Sequence, residues 1–232
     1  MTTTSTLVAA ATPPRPPRAG GVTKALLVSG IVAGPVFVLA FIGQGVTRDG
    51  YDALRHPVSS LAIGVHGWMQ TANFVVCGLL TLAFAVGVRR VVRPGRAAVW
   101  GPLLIGVWAV GMIGSGAFLA DPVNGFPPGT PDVPARATTS GAVHDAFALV
   151  GFPALLVACF VFAWRFTGER RRGWAVYSAL TGVVFLAFDI LATAGFAQAD
   201  GLVSIAGLLQ RVTIGAALLW LTLLAVHLRR RV

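Results

Sequence analysis

Charge is the scarcest resource in this chain: 11% of its 232 residues are Asp, Glu, Lys or Arg, while 56% are hydrophobic, and the mean hydropathy is +0.78. A composition this poor in charge cannot clothe a soluble core with a polar surface, which excludes the ordinary water-soluble domain. Cysteine is nearly absent. The two present, Cys77 and Cys159, fall inside apolar stretches where a thiol behaves as a small hydrophobe, so neither a disulfide framework nor a cysteine metal site is expected. The signatures of soluble catalysis are also missing. There is no P-loop, no GxGxxG, no HExxH and no GxSxG, and no cofactor is implied. Lysine occurs once, at Lys24, and the resulting arginine bias hints at a GC-rich bacterial genome.

What the chain has in abundance is long apolar runs. A bilayer core about 30 Å thick needs about 20 helical residues. Six segments reach that length: Val22 to Gly43, Gln70 to Val88, Val99 to Ala120, Val143 to Trp164, Trp174 to Phe196 and Ser204 to Val226. Each is read as a helix, because an open strand would leave its amides unpaired in hydrocarbon. Pro35, Pro102 and Pro153 are compatible with that reading inside a membrane bundle. The expected fold is therefore all-α, a polytopic bundle of six transmembrane helices over residues 22–228, with lipid as its principal partner. Residues 1–21 read as a disordered cytoplasmic tail and 229–232 as a basic cytoplasmic end. The order of charge and apolar residues near the N-terminus does not match a cleaved secretory signal.

The net charge of +10 raises nucleic acid as a partner, but the cations form no basic face. They cluster between the apolar runs. Fourteen of the 18 fall in the N-terminal tail, in the connection from Arg89 to Arg96, in the connection from Arg165 to Arg172 and at the C-terminus. By the positive-inside rule this places both termini in the cytoplasm of a multi-pass plasma-membrane protein, and no nucleic acid is expected. Trp68, Trp100, Trp164 and Trp174 stand near the expected helix ends, as an interfacial aromatic belt requires. Gly30 with Gly34, and Gly111 with Gly114 and Gly116, are read as sites of close helix packing within the bundle.

The outer connections, residues 44–69 and 121–145, are long and polar, while the inner ones are short. In the first, Pro57 favours an extended His56, and Ser59 and Ser60 are expected to cap a short helix lying at the interface with Arg55 toward headgroups. Deeper down, Asp189 and Arg211 each lie seven residues inside the outer end of their helix, about 10 Å below the boundary at 1.5 Å per residue. Equal depth on sequential helices predicts a salt bridge, with Gln210 beside it. These residues, with Asn73, Asp121, His144 and Asp145, define a candidate outward-facing polar cavity: Arg55, His56, Ser59, Asn73, Asp121, His144, Asp145, Asp189, Gln210 and Arg211. No ionisable group is expected within the inner halves of the helices.

RHPVSSLAIGVHGWMQTANF (55–74) followed by GLL and a basic turn, then VHDAFALVGFP (143–153), then GLLQRV (207–212) before a Trp-containing last helix, resembles the bacterial and archaeal membrane family known as domain of unknown function 998. The resemblance implies a membrane location and a helical bundle and carries no activity. The residues themselves point to a non-enzymatic membrane protein whose outer cavity binds a lipid headgroup or small ligand. Two alternatives stand beside it. One is an intramembrane hydrolase, metal-assisted or not, using His56, His144, Asp145, Asp189 and Ser59; the other is a small-solute transporter. The hydrolase lacks paired histidines one helical turn apart, and no catalytic residue or metal ligand is assigned. A protein partner is left open.

Overall fold

The computed structural model describes residues 19–133 and 136–232. It contains six long helices: α1 (Ala19–Thr47), α2 (Trp68–Val91), α3 (Trp100–Ala117), α4 (Thr139–Gly168), α5 (Arg172–Phe196) and α6 (Ala206–Arg229). All six are long and apolar enough to cross a membrane, and the described residues contain no strand, only one isolated bridge between Val123 and Phe126. The expected tail largely lies outside the described residues, and α1 already begins at Ala19, three residues before the apolar run suggested.

Each helix packs on the next in sequence, and α6 closes the ring against α1. Odd-numbered helices therefore run away from the chain termini and even-numbered ones return. This gives a termini end, with the turns 92–99 and 169–171, and a loop end, with connections 48–67, 118–138 and 197–205. The core between the helices is aromatic. Phe37, Phe84, Phe162, Phe185 and Trp220 are fully buried, and the Trp220 indole donates to Ser178 Oγ at 3.0 Å.

Helix ends explain where the runs were misjudged. The third stops three residues short of Ala120 because Phe118 turns extended, and its N–H closes onto Gly114 O. The fourth starts at Thr139, four residues early, because Thr138 caps it by accepting from the Gly141 N–H at 3.0 Å. At its other end α4 continues through Arg165 to Gly168, so Arg165 belongs to a helix and is buried, contrary to its expected place in a connection.

The short helix after Pro57 also differs from expectation. It is a 3-10 turn, Val58–Ala62, whose first residue is preceded by Pro57 with no side-chain cap, so neither Ser59 nor Ser60 caps it. Val58, Ser60, Leu61 and Ala62 are buried. The segment is a plug pressed into the ring between α1, α2 and α6, not an amphipathic strip lying on lipid.

The glycines act inside the bundle. At the α3–α4 crossing, a Cβ on Gly111 would sit 3.1 Å from both Gly151 Cα and Phe147 O, two backbone atoms that cannot give way. Gly34 fits closely against Leu218 O and Thr222 of α6 in the same manner. Between α2 and α4 the slender α3 leaves an apolar groove of about 980 Å3, lined on α3 by Leu103, Gly106 and Val110.

The two glycines of the α3–α4 crossing respond differently to alanine. Gly111→Ala is expected to destabilise by about 1–3 kcal/mol of crowding, less the roughly 1 kcal/mol of helix propensity gained. A Cβ on Gly151 meets nothing closer than 3.5 Å, so Gly151→Ala is expected to be neutral or slightly stabilising. Thermal midpoints in one detergent compare them, and equal behaviour of the two would refute this account of the crossing.

Candidate functional site

Arg211 is the hub of the loop end. It projects from α6 one turn after Gly207, and its Nη1 donates to His56 O at 2.9 Å and Gly207 O at 2.8 Å, while Nη2 donates to Tyr51 Oη. The guanidinium also lies over the rings of Phe41 and Tyr51. Tyr51 in turn donates to Pro57 O at 2.9 Å, tying the α1–α2 connection to itself. Burial raises the Tyr51 phenol pKa, with the Arg211 charge opposing the shift, so the group stays protonated and keeps its donor. Gln210, next to Arg211, accepts the Val58 N–H at 2.9 Å and fixes the start of the plug.

His56 is 5% exposed and has both ring nitrogens committed. The Asp52 N–H points at Nδ1 from 2.9 Å, so Nδ1 is the acceptor; Nε2 then carries the proton and donates to Asn124 O at 3.1 Å. This arrangement accepts only the neutral ring. Burial lowers the His56 pKa from 6.5, with the Arg55 and Arg211 charges acting in the same direction and the Asn124 carbonyl and Asp52 against it.

Asn124 draws the second loop in. Its Nδ2 donates to Arg55 O at 3.0 Å, its Oδ1 accepts from Gln198 Nε2 at 2.6 Å, and it holds φ +58 in an Asn-Gly turn, a conformation asparagine tolerates. Arg55 answers by donating to Asn124 O at 3.0 Å and pairing with Asp132 at 2.7 Å. All three loops of this end are thereby stapled together. Tyr51, Asn124 and Gln198 were not among the sequence candidates. The Asn-Gly pair at 124–125 was the one local signal available for them.

The remaining candidates divide. Asp121 accepts from Thr138 N at 2.9 Å and Thr138 Oγ1 at 2.7 Å, which seats the cap of α4. His144 Nδ1 lies 2.9 Å from both Ser115 O and Phe118 O, so it donates to the frayed end of α3. Asn73 joins a buried amide cluster, donating to Gln70 Oε1 and Phe37 O, both at 3.2 Å. Ser59 is half-buried and Asp145 exposed, and neither side chain has a partner among the described residues. The structure thus brings together Arg55, His56, Gln210 and Arg211 and gives Asn73, Asp121 and His144 separate tasks.

Asp189 and Arg211 do not form the expected salt bridge. Asp189 continues the inward stripe of α5, after Phe185 and before Ala192, and is half-buried with no ion pair or hydrogen bond among the described residues. Arg211 spends its donors on carbonyls and a phenol instead. Equal depth did not bring equal facing.

Beneath the plug, Gln44 Nε2 donates to Gln70 Oε1 at 2.9 Å, and the same oxygen accepts from Asn73. Gln44 Oε1, Gln70 Nε2 and Ser60 Oγ remain buried without a partner among the described residues. Exchanging O and N on Gln70 does not help, because its oxygen already receives two donors. Among the described residues no three His, Cys, Asp or Glu side chains come together in a way that would hold a metal ion.

A family model described as "Protein of unknown function (DUF998)" matches residues 31–227. The chain belongs to this family. The match covers all six helices except the first turns of α1 and the last residues of α6, so the loop-end staples fall within the family's span. No curated protein and no solved structure matches the chain.

The His56 geometry sets a pH dependence. Because its folded pKa is below the unfolded 6.5, the unfolded chain binds the proton more readily, and stability falls as pH drops below about 6.5, levelling off below the folded pKa. Thermal midpoints of wild type and His56→Gln across mildly acidic and neutral pH should converge as pH falls. A constant difference at every pH would show that His56 does not titrate on unfolding.

Proposed function

We propose that this family member is a non-enzymatic protein of the plasma membrane that binds a lipid headgroup or small polar ligand at its loop end, facing outward. The observation that carries the reading is the set of unmet polar atoms under the plug: Gln44 Oε1, Ser60 Oγ and Gln70 Nε2, two acceptors or donors-and-acceptors and one donor on three packed elements. A buried polar atom left unpaired costs about 1–3 kcal/mol, which a ligand hydroxyl or a bridging water recovers. Asp189 adds a carboxyl group in the outer half of α5 with no hydrogen bond or ion pair among the described residues. An ionisable side chain within a span is, by default, a functional candidate.

The hydrolase alternative is less well supported by this geometry. A general base must have a nitrogen within reach of the nucleophile, and His56 has given both of its nitrogens to the backbone, while Ser59 bonds to neither histidine.

The ligand is tested by native mass spectrometry of the protein released gently from membranes. Wild type is expected to carry an additional mass that Ser60→Ala loses or holds more weakly, while ligand-free Ser60→Ala, which removes a buried hydroxyl and breaks no hydrogen bond, melts no lower than ligand-free wild type. Bare wild-type protein in every preparation, together with a ligand-free Ser60→Ala that melts lower, would sink the reading.

The outward facing of this end rests on the cation distribution, with Arg89, Arg90, Arg93, Arg96 and Arg170 to Arg172 all at the termini end. Cysteine placed at exposed His66 should react with a membrane-impermeant maleimide added to intact cells, and cysteine placed at exposed Arg93 should not. The reverse pattern would invert the protein and turn the loop end toward the cytoplasm.

A further inference from the structure

At the opposite end of the bundle the turn between α2 and α3 and the end of α4 form an open pocket of about 290 Å3, lined by Pro94, Gly95, Arg96, Arg165, Gly168 and Glu169. Arg165 is 9% exposed, a degree of burial rare for arginine, and it donates to Arg96 O at 2.6 Å. Its Nε stands 2.7 Å from Glu169 Oε1 but lies off the hydrogen-bond direction, so this donor has no proper acceptor. Arg96 lies across the cavity's rim, stacked on Trp164 at 4.8 Å and donating to Trp164 O, with no carboxylate partner among the described residues. Gly168 leaves space for it, since a Cβ there would meet Arg96 Nη1 at 3.2 Å.

Charge is unbalanced here. Glu169, the one glutamate of the chain, pairs with Arg165 and Arg231 at 2.7 Å each and with Arg171 at 3.6 Å. Burial works against its ionisation, yet the Arg231, Arg165 and Arg171 guanidiniums outweigh burial and hold its carboxyl below the usual range. One carboxylate therefore answers three guanidiniums, and Arg96 adds a fourth. The surplus is positive, and two of the four guanidiniums, those of Arg96 and Arg165, line the pocket together with Glu169 and the backbone of Gly95 and Gly168.

We propose that this cavity binds a phosphate-bearing anion, with the phosphate held between the guanidiniums of Arg96 and Arg165. Planar guanidinium forks suit phosphate oxygens, and the deep position of Arg165 supplies a donor already stripped of water. Glu169 is the prop that orients Arg165 and Arg231. The exposed Trp100 and Trp164 mark the level of the lipid headgroups at this end, so a phosphate from the membrane and a free phosphate from solution both have access. The site is independent of the loop-end reading, and neither stands or falls with the other.

The test uses the full chain in dodecyl maltoside, a detergent without phosphate, with thermal midpoint as the readout. In one arm inorganic phosphate is titrated against chloride at matched ionic strength; in the other, phosphatidic acid is added to the micelles with no free phosphate. Wild type is expected to be stabilised in at least one arm, and Arg96→Gln to weaken the apparent affinity about tenfold, the loss of one charge-assisted contact. Arg90→Gln, which removes an equal charge from an exposed position on α2 outside the cavity, is expected to bind as wild type does. Stabilisation by phosphatidic acid alone assigns a lipid headgroup, by inorganic phosphate alone a soluble anion, and by both a general phosphate site. No stabilisation in either arm, or equal loss in Arg90→Gln and Arg96→Gln, would overturn the proposal. Arg165→Gln is the weaker test, because Arg165 also fastens the turn through Arg96 O and its loss disturbs the fold as well as the pocket.

Discussion

Backbone amides in hydrocarbon have no solvent to turn to, and that constraint governs where this chain can be helical and where it must do something else. Within the six helices the problem is solved locally, residue by residue. It returns wherever a helix ends. At those points the chain uses side chains: Thr138 and Asp121 at the start of α4, His144 at the end of α3, Arg89 on Ala98 O after α2 and Arg165 on Arg96 O in the following turn. Most polar side chains that are conspicuous in the sequence serve as fastenings for carbonyls and amides that helices leave exposed.

The loop end shows how far this goes. Three connections, far apart in sequence, are tied into one lid by Arg211, Tyr51, His56, Asn124 and Gln198, and nearly every bond in the set has a backbone atom at one end. Such bonds fix chain path more than they create a chemical site. Gln44 Oε1, Ser60 Oγ and Gln70 Nε2 are what the fastening at this end leaves unsatisfied among the described residues. At the termini end the logic differs: arginines gather round a single glutamate, and the surplus charge has nowhere to go within the protein.

The six helices were legible in the sequence because length and apolar composition are local properties, and because lipid removes the ambiguity between strand and helix. Family membership was legible for the same reason, from short polar phrases standing out of apolar text. Contacts were not. Asp189 and Arg211 were matched on depth, but a helix rotates about 100° per residue, so depth leaves the facing direction undetermined. Arg211's true partners, Tyr51 and His56 O, come from a connection 155 to 160 residues away that no periodicity predicts. Arg165 was mistaken for a loop cation because it follows Trp164, where the apolar run ends. The signal that it was helical is its spacing to Glu169, four residues on, the reach of an ion pair along one helix face.

The length of α3 has a consequence for the membrane around the protein. Its 18 residues rise about 27 Å, whereas the 30 of α4 rise about 45 Å. Alongside α3 lies the apolar groove, and an acyl tail settling there touches α2, α3 and α4 together instead of a single convex helix. A bilayer too thick for the protein has to thin on this flank before any other, at a modest cost for each ångström of mismatch.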